Sequence, residues 1–363
     1  MSIDLEQYHA RGIKNLIKSA VKVTLKAPRQ GAFLAAFSLA CARAEKRRAD
    51  NYALSGLHIP PFLIASVTNS CNLHCAGCYA RANKACDDGA AGDLLTAADW
   101  DSVFAQAEEL GICFILLAGG EPLLRPDVLK AAAAHKNILF PVFTNGTLLT
   151  GGILELFDSS RCLIPILSIE GDAARTDTRR GAGIYDRLKA AMSALSSRGI
   201  LFGASVTVTK ENLSYVTGSD FTPMLAGAGC RLVFYIEYVP ADGKSQELAL
   251  TEEERMLLAS RVDMLRSGDG EMMYLSFPGD EARSEGCLAA GRGFIHINPR
   301  GGAEPCPFSP FSDTNVKDAG LRAALDSPLF KKLTTEDILS RAHDGGCVLF
   351  SNERLVRQLL QST

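Results

Sequence analysis

No excess of either charge marks this chain of 363 residues: 38 Lys and Arg stand against 41 Asp and Glu, a formal net charge of −3. That balance supplies no global field to gather nucleic acid. Long hydrophobic runs are missing as well. The longest apolar stretch near the N-terminus, Gly31 to Ala42, is too short to span a bilayer. A basic cluster follows it where a secretory signal would carry a cleavage site. No repeat and no low-complexity tract breaks the sequence. Without a secretory signal, the 11 cysteines are expected to be metal-binding thiols rather than disulfides, in a reducing, cytoplasmic setting. Hydrophobic residues at 47% and charged residues at 22% suit a globular protein large enough for an α/β domain and a smaller unit.

Three cysteines share one short loop, Thr68-Asn69-Ser70-Cys71-Asn72-Leu73-His74-Cys75-Ala76-Gly77-Cys78-Tyr79. Three thiolates at Cys-x3-Cys-x2-Cys spacing can hold three irons of a [4Fe–4S] cluster and leave the fourth open to a ligand. A zinc site would need a second hook or histidines to complete its tetrahedron. Zinc and buried structural cysteine remain the alternatives on spacing alone.

Strand and helix signals alternate after the linker His58-Ile59-Pro60-Pro61. Apolar runs at Phe62–Val67, Cys113–Ala118, Ile138–Phe143, Leu163–Ile169, Leu201–Thr209 and Leu232–Tyr238 read as strands. Helices are expected at Thr96–Leu110, Pro126–Ala134, Tyr185–Ser197 and Thr251–Arg266. Thr96 and Asp99 have the spacing of a capping pair. Six strands separated by helices imply a parallel sheet buried on both faces. The polar and glycine-rich motifs fall just after strands, where βα barrels place their sites. Before the linker, an Ala- and Lys-rich segment reads as helix. Lys22, Lys26 and Arg29 precede its apolar part, and Arg43, Lys46, Arg47 and Arg48 follow. It is expected to pack on the main domain, or to touch anionic lipid as an interfacial helix.

The cysteine spacing resembles the signature of the radical S-adenosylmethionine (radical SAM) superfamily. Ala118-Gly119-Gly120-Glu121-Pro122, Thr144-Asn145-Gly146-Thr147, Leu167-Ser168-Ile169-Glu170-Gly171 and Arg180-Gly181 follow in the family's order, over roughly Pro60 to Gly243. The resemblance implies an α/β fold, a six-stranded partial (β/α)6 TIM-type barrel over 58–270. An N-terminal helical extension (1–57) and a small α+β C-terminal domain (271–363) complete it. It also implies an enzyme in which a [4Fe–4S] cluster on Cys71, Cys75 and Cys78 reductively cleaves SAM to a 5′-deoxyadenosyl radical. That radical abstracts hydrogen from a peptide, a cofactor precursor or a lipid-linked molecule. Gly119, Gly120 and Glu121 would meet the SAM ammonium, Asn145 the ribose, and Ser168 and Arg180 the carboxylate, with Arg179 an alternative to Arg180. Tyr79, directly after the last cysteine, takes the place of the aromatic that often precedes it. Flavodoxin or ferredoxin would supply electrons. A non-catalytic iron–sulfur carrier is the alternative, but it would not need Glu121, Ser168 and Arg180 together.

Beyond the barrel, Cys287 and Cys306 flank Phe294–Gly301, and Cys347 follows Gly345-Gly346. This pattern resembles the start of a SPASM or twitch extension. The dense cysteine series of a full SPASM domain is absent, so at most one auxiliary cluster is implied, on Cys287, Cys306 and Cys347. Its fourth ligand is open among Cys230, a non-cysteine side chain and substrate. His296 is expected to be a half-exposed sheet residue.

Overall fold

The computed structural model of the chain describes residues 27–87, 92–268, 272–284, 286–335, 338–339 and 347–362. The helix expected before residue 27, with Lys22 and Lys26, lies outside the described residues.

Local signals fix most of the elements. The helix Ala97–Leu110 begins at a reciprocal Thr96–Asp99 capping box and ends at Gly111 in the left-handed region. Trp100, Val103, Phe104, Ala107 and Leu110 form its buried stripe, at the spacing the sequence predicts. The first described helix, Pro28–Ser55, opens on a proline and ends at left-handed Gly56.

The six expected strands are present as β1 (Phe62–Ser66), β2 (Phe114–Ala118), β3 (Phe140–Thr144), β4 (Leu163–Ser168), β5 (Gly203–Val208) and β6 (Leu232–Glu237). The sheet has nine strands, however. β7 (Met273–Phe277), β8 (Phe294–Ile297) and β9 (Ala303–Glu304) extend it, in the order β7-β6-β5-β4-β3-β2-β1-β8-β9. Every pairing is parallel except β8–β9. The expected count of six is therefore corrected. β8 pairs with β1 in the register Phe62↔Phe294 to Ala65↔Ile297, a long-range partnership that strand periodicity alone does not reveal.

The sheet curls. The rings of Phe143 on β3 and Phe234 on β6 lie 5.1 Å apart. Three strand spacings in a flat sheet would separate them by about 14 Å. At the rims, Phe277 of β7 meets Phe294 of β8 at 5.9 Å. Residues on the outer face, among them Leu63, Ile115, Leu117, Val142, Val206 and Val233, are completely buried under the helices. The inner face carries Ile164, Ile166, Leu232, Phe143, Phe234 and Leu275.

The helix Pro28–Ser55 covers the N-terminal end of this trough. Leu34 joins the inner-face cluster, and Phe37, Ala40, Cys41 and Ala44 pack on Cys113, Phe114 and Leu139 at the starts of β2 and β3. Arg48 donates to Gly111 O at 2.5 Å and Arg47 to Glu108 O at 2.8 Å, anchoring it further. It packs on the main domain, as expected, while Leu39, Tyr52 and Leu54 stay exposed. Among the described residues, the elements after β9 are all helices. The helix Val316–Leu325 leans on Ala97–Leu110 through Leu321 N–H to Gln106 Oε1 at 2.8 Å.

Candidate metal centre and cofactor site

The loop after β1 carries Cys71, Cys75 and Cys78, all half-buried and none in a disulfide. Its neighbour is the turn after β2. Gly120 N–H donates to Thr68 O and Glu121 N–H to Ser70 O, both at 2.8 Å, so the two loops run against each other as an extension of the β1–β2 ladder. The glycines are there for this contact. A Cβ on Gly119 would lie 2.5 Å from Thr68 O, and one on Gly120 only 2.0 Å from Ser70 O. Arg81 braces the loop from within, donating to Leu73 O at 2.8 Å and Cys71 O at 3.3 Å. Gly77, at φ +62°, passes over the Tyr238 ring at a distance that excludes any side chain.

Glu121 is buried, with three donors on its carboxyl: Thr144 Oγ1 at 2.7 Å, Asn145 N–H at 2.8 Å and Leu123 N–H at 3.1 Å. Burial raises its pKa against those hydrogen bonds. It thus ties the ends of β2 and β3 together and aims Asn145. Asn145 donates through Nδ2 to Asn72 Oδ1 at 2.8 Å and stands 4.0 Å from Cys71 Sγ. Its Oδ1 accepts from Thr147 N–H at 3.0 Å.

Ser168, at the tip of β4, shares a 3.1 Å hydrogen bond with Ser205 of β5. Two residues on, Glu170 is 2% exposed and holds both candidate arginines. Arg179 Nη1 donates to its Oε1 at 2.6 Å, Arg180 Nε to the same oxygen at 2.9 Å, and Thr207 N–H to Oε2 at 3.1 Å. Burial would raise the Glu170 pKa, but the two guanidinium groups outweigh it and hold the carboxyl below its ordinary value. The Arg180 guanidinium lies within electrostatic reach of Cys75 and Cys78. Arg179 instead ties the cysteine loop to the helix Ala173–Arg180, through Ala76 N–H to Arg179 O at 2.8 Å and its own Nε to Ala76 O at 3.2 Å. Sequence reasoning missed Glu170 as the brace of both arginines, because the ten-residue span to Arg180 closes only in the fold.

The structure therefore brings Cys71, Cys75, Cys78, Glu121, Asn145, Ser168 and Arg180 to the C-terminal end of the parallel strands. Tyr79 lies between the two cysteine groups. Its ring packs on Phe308 at 4.8 Å, and burial followed by the charges of Cys78 and Cys306 raises its phenol pKa. The second group also converges. The thiols of Cys306 and Cys347 hydrogen-bond, and Cys287 adjoins both. Cys230 does not join them: it sits at the start of β6, with Sγ 3.3 Å from Leu232 O.

Among the described residues, no three His, Cys, Asp or Glu side chains close around one point as a single metal ion requires. A [4Fe–4S] cluster asks for something different, one thiolate per iron. The first loop fits that demand, with Cys71, Cys75 and Cys78 outside any disulfide and the Arg180 guanidinium within electrostatic reach of two of them.

His296 departs from the expectation of a half-exposed residue. It is 3% exposed. Its Nε2 lies 2.7 Å from Ser66 Oγ and its Nδ1 2.7 Å from Glu304 Oε2, while Asn298 Nδ2 donates to Glu304 Oε1 at 2.7 Å. The carboxylate assigns the proton to Nδ1, leaving Nε2 to accept from the Ser66 hydroxyl. The alternation of Phe294, His296 and Asn298 was the available sequence signal; the partner Ser66 lies 230 positions away.

Comparison with known proteins places this geometry. The profile of the Radical SAM superfamily matches residues 65–217. The AdoMet-dependent heme synthase of Methanosarcina barkeri is 27% identical over 300 residues, covering 75% of this chain and 84% of that protein. The PqqA peptide cyclase of Gluconobacter oxydans is 27% identical over 290 residues, covering 77% and 80%. Among solved structures, Streptococcus suis SuiB bound to its precursor peptide SuiA superposes with a TM-score of 0.68 at 18% identity, over 86% of this chain and 77% of SuiB.

Proposed function

We propose that this chain is a radical SAM enzyme, its radical SAM domain being the matched residues 65–217. Cys71, Cys75 and Cys78 hold the family's [4Fe–4S] cluster, and SAM sits over the strand tips beside it. When bound, that cluster supplies the electron that cleaves SAM to the 5′-deoxyadenosyl radical. The observation that carries the assignment is the meeting of the three-cysteine loop, through Cys75 and Cys78, with Arg180, whose position Glu170 fixes.

The chain's own groups do the positioning. Arg180 presents a preorganised guanidinium to the SAM carboxylate, with Ser168 nearby. Asn145, aimed by Glu121, offers its amide to the ribose. Gly119 and Gly120 bring the backbone of the β2 turn close, and the Glu121 carboxylate adds negative potential toward the SAM ammonium. Tyr79 walls the cofactor side. Cys287, Cys306 and Cys347 hold one auxiliary cluster.

The substrate proposed is a peptide or a cofactor precursor, in keeping with relatives named as a peptide cyclase and a heme synthase. The electron donor is a cytoplasmic flavodoxin or ferredoxin. No described helix is long and apolar enough to cross a membrane. Any membrane contact would be peripheral, through Leu39, Tyr52 and Leu54.

The test is anaerobic reconstitution of the Cys71→Ala, Cys75→Ala, Cys78→Ala variant. It should bind no SAM-responsive cluster and form no 5′-deoxyadenosine with dithionite. Wild-type 5′-deoxyadenosine formation by this variant would overturn the assignment.

A further inference from the structure

Four buried acidic or thiol groups meet where β8 and β9 turn back toward the barrel. Cys287 precedes β8. Its amide donates to Leu339 O at 2.8 Å and its carbonyl accepts from Arg292 Nη1 at 2.7 Å. Cys306 follows β9 and is drawn to the same turn, because Ala290 N–H donates to Pro305 O at 3.1 Å. Cys347 stands at the N-cap of the helix Val348–Ser351.

The fourth group comes from the other rim of the sheet. Directly after β7 the chain makes the 3-10 turn Gly279–Ser284, fixed by Glu281 N–H to Pro278 O at 2.7 Å. This turn delivers the Glu281 carboxyl to the cysteines. It hydrogen-bonds the Cys287 thiol and lies within electrostatic reach of Cys347. Exposure is 4%, 1%, 8% and 5% for Cys287, Cys306, Cys347 and Glu281. The neighbours of the Glu281 carboxyl there are the Leu288 N–H, the Cys287 thiol and the charge of Arg292, so the carboxyl reaches the cysteine pocket already positioned by the chain's own groups. Cys230 is held at the start of β6 by its contact with Leu232 O. Cys86 adjoins Tyr79, on the side of the first cysteine loop.

We propose that Glu281 is the fourth ligand of the auxiliary iron–sulfur cluster, so that the site is built of three thiolates and one carboxylate. This rests on the auxiliary-cluster reading given above. A carboxylate oxygen is a harder donor than thiolate sulfur, so the iron it holds is the corner most open to exchange.

The experiment isolates the second site by starting from the Cys71→Ala, Cys75→Ala, Cys78→Ala chain, reconstituted anaerobically with iron and sulfide. This parent should carry about four irons. Adding Glu281→Ala should lower the content to about three and give the electron paramagnetic resonance signal of a three-iron cluster without any reductant. Adding Glu281→Cys should restore about four irons with a changed signal after reduction, which shows that the alanine chain had not simply failed to fold. Adding Cys86→Ala should change neither count nor signal. A parent without iron would overturn the auxiliary cluster itself. A parent with four irons, unchanged in count and signal by Glu281→Ala, would overturn the role of Glu281 alone. Loss of the fourth iron in Cys86→Ala would transfer the role to that thiol.

Discussion

Replacing Gly120 by alanine adds one methyl group at the tightest contact of the site. The new carbon would lie 2.0 Å from Ser70 O, 2.5 Å from Ser70 C and 3.1 Å from Cys71 N. These are backbone atoms, so no rotamer relieves the clash, and the two loops must part by more than an ångström. Forced overpacking of this kind costs about 1–3 kcal/mol. Parting the loops also strains the Gly120–Thr68 and Glu121–Ser70 hydrogen bonds, at about 0.5–1.5 kcal/mol each. The expected destabilisation is about 2–6 kcal/mol. Urea unfolding followed by circular dichroism, with the slope m checked for constancy, measures it. Iron uptake at the first loop should fall in parallel, because Cys71 is attached to the displaced segment. Gly152→Ala is the control. It sits in the helix Gly151–Ser159 with nothing within 4 Å of its added Cβ, and should stabilise by about 0.5–1 kcal/mol. A Gly120→Ala chain within about 0.5 kcal/mol of wild type, with normal iron uptake, would refute the reasoning.

The remaining expectations concern charge. Glu170→Gln removes the buried anion that two half-buried guanidinium groups face and should destabilise by about 3–5 kcal/mol. Because the Glu170 pKa is depressed on folding, its contribution is present above the unfolded carboxyl range and fades as pH falls through the folded value. The gap between wild type and Glu170→Gln should therefore narrow below about pH 4.5, and a gap that persists into acid would count against this. Glu237 has the opposite sign: burial, opposed by Arg255, pushes its carboxyl up to about 7. Stability is lost as pH rises from the unfolded value toward 7, so Glu237→Gln should gain about 3 kcal/mol over wild type at pH 8 and almost nothing at pH 4. Equal stability at both pH values would contradict it. Arg180→Ala should weaken SAM binding in the reconstituted enzyme by roughly 1.5–3 kcal/mol, read by equilibrium dialysis; unchanged affinity would remove Arg180 from the cofactor site. His296→Ala leaves buried Glu304 with the Asn298 donor and should cost about 1–3 kcal/mol in urea unfolding, with His296→Gln recovering part of it. Full stability in the alanine chain would show the buried contact to be dispensable.

The barrel strands were legible because each is a continuous apolar run bounded by glycine, proline or polar turns. The helix Ala97–Leu110 was legible because its cap and its buried stripe are local. Three strands were not. β9 is two residues long, β7 reads weakly, and β8 owes its place to β1, more than two hundred residues earlier in the chain. The same distinction runs through the candidate site. The cysteine loop and the Gly-Gly-Glu turn announce themselves by spacing. The brace of Glu170 on two arginines and the chain Ser66–His296–Glu304 depend on side chains that meet only in the folded state. Cys287, Cys306 and Cys347 stood out as residues, but Glu281 carried no signal until the turn after β7 brought it to them.

The helix Pro28–Ser55 turns the barrel into a vessel with one mouth. Its Leu34, Phe37 and Cys41 stopper the end where the strands begin, leaving the end where they finish as the doorway. That doorway is rimmed by the thiols, the arginine brace and the Gly-Gly turn. On the reading proposed above, cofactor and substrate share that entrance, and whichever settles deeper arrives first and departs last. A stopper at one end thus dictates an order of traffic at the other.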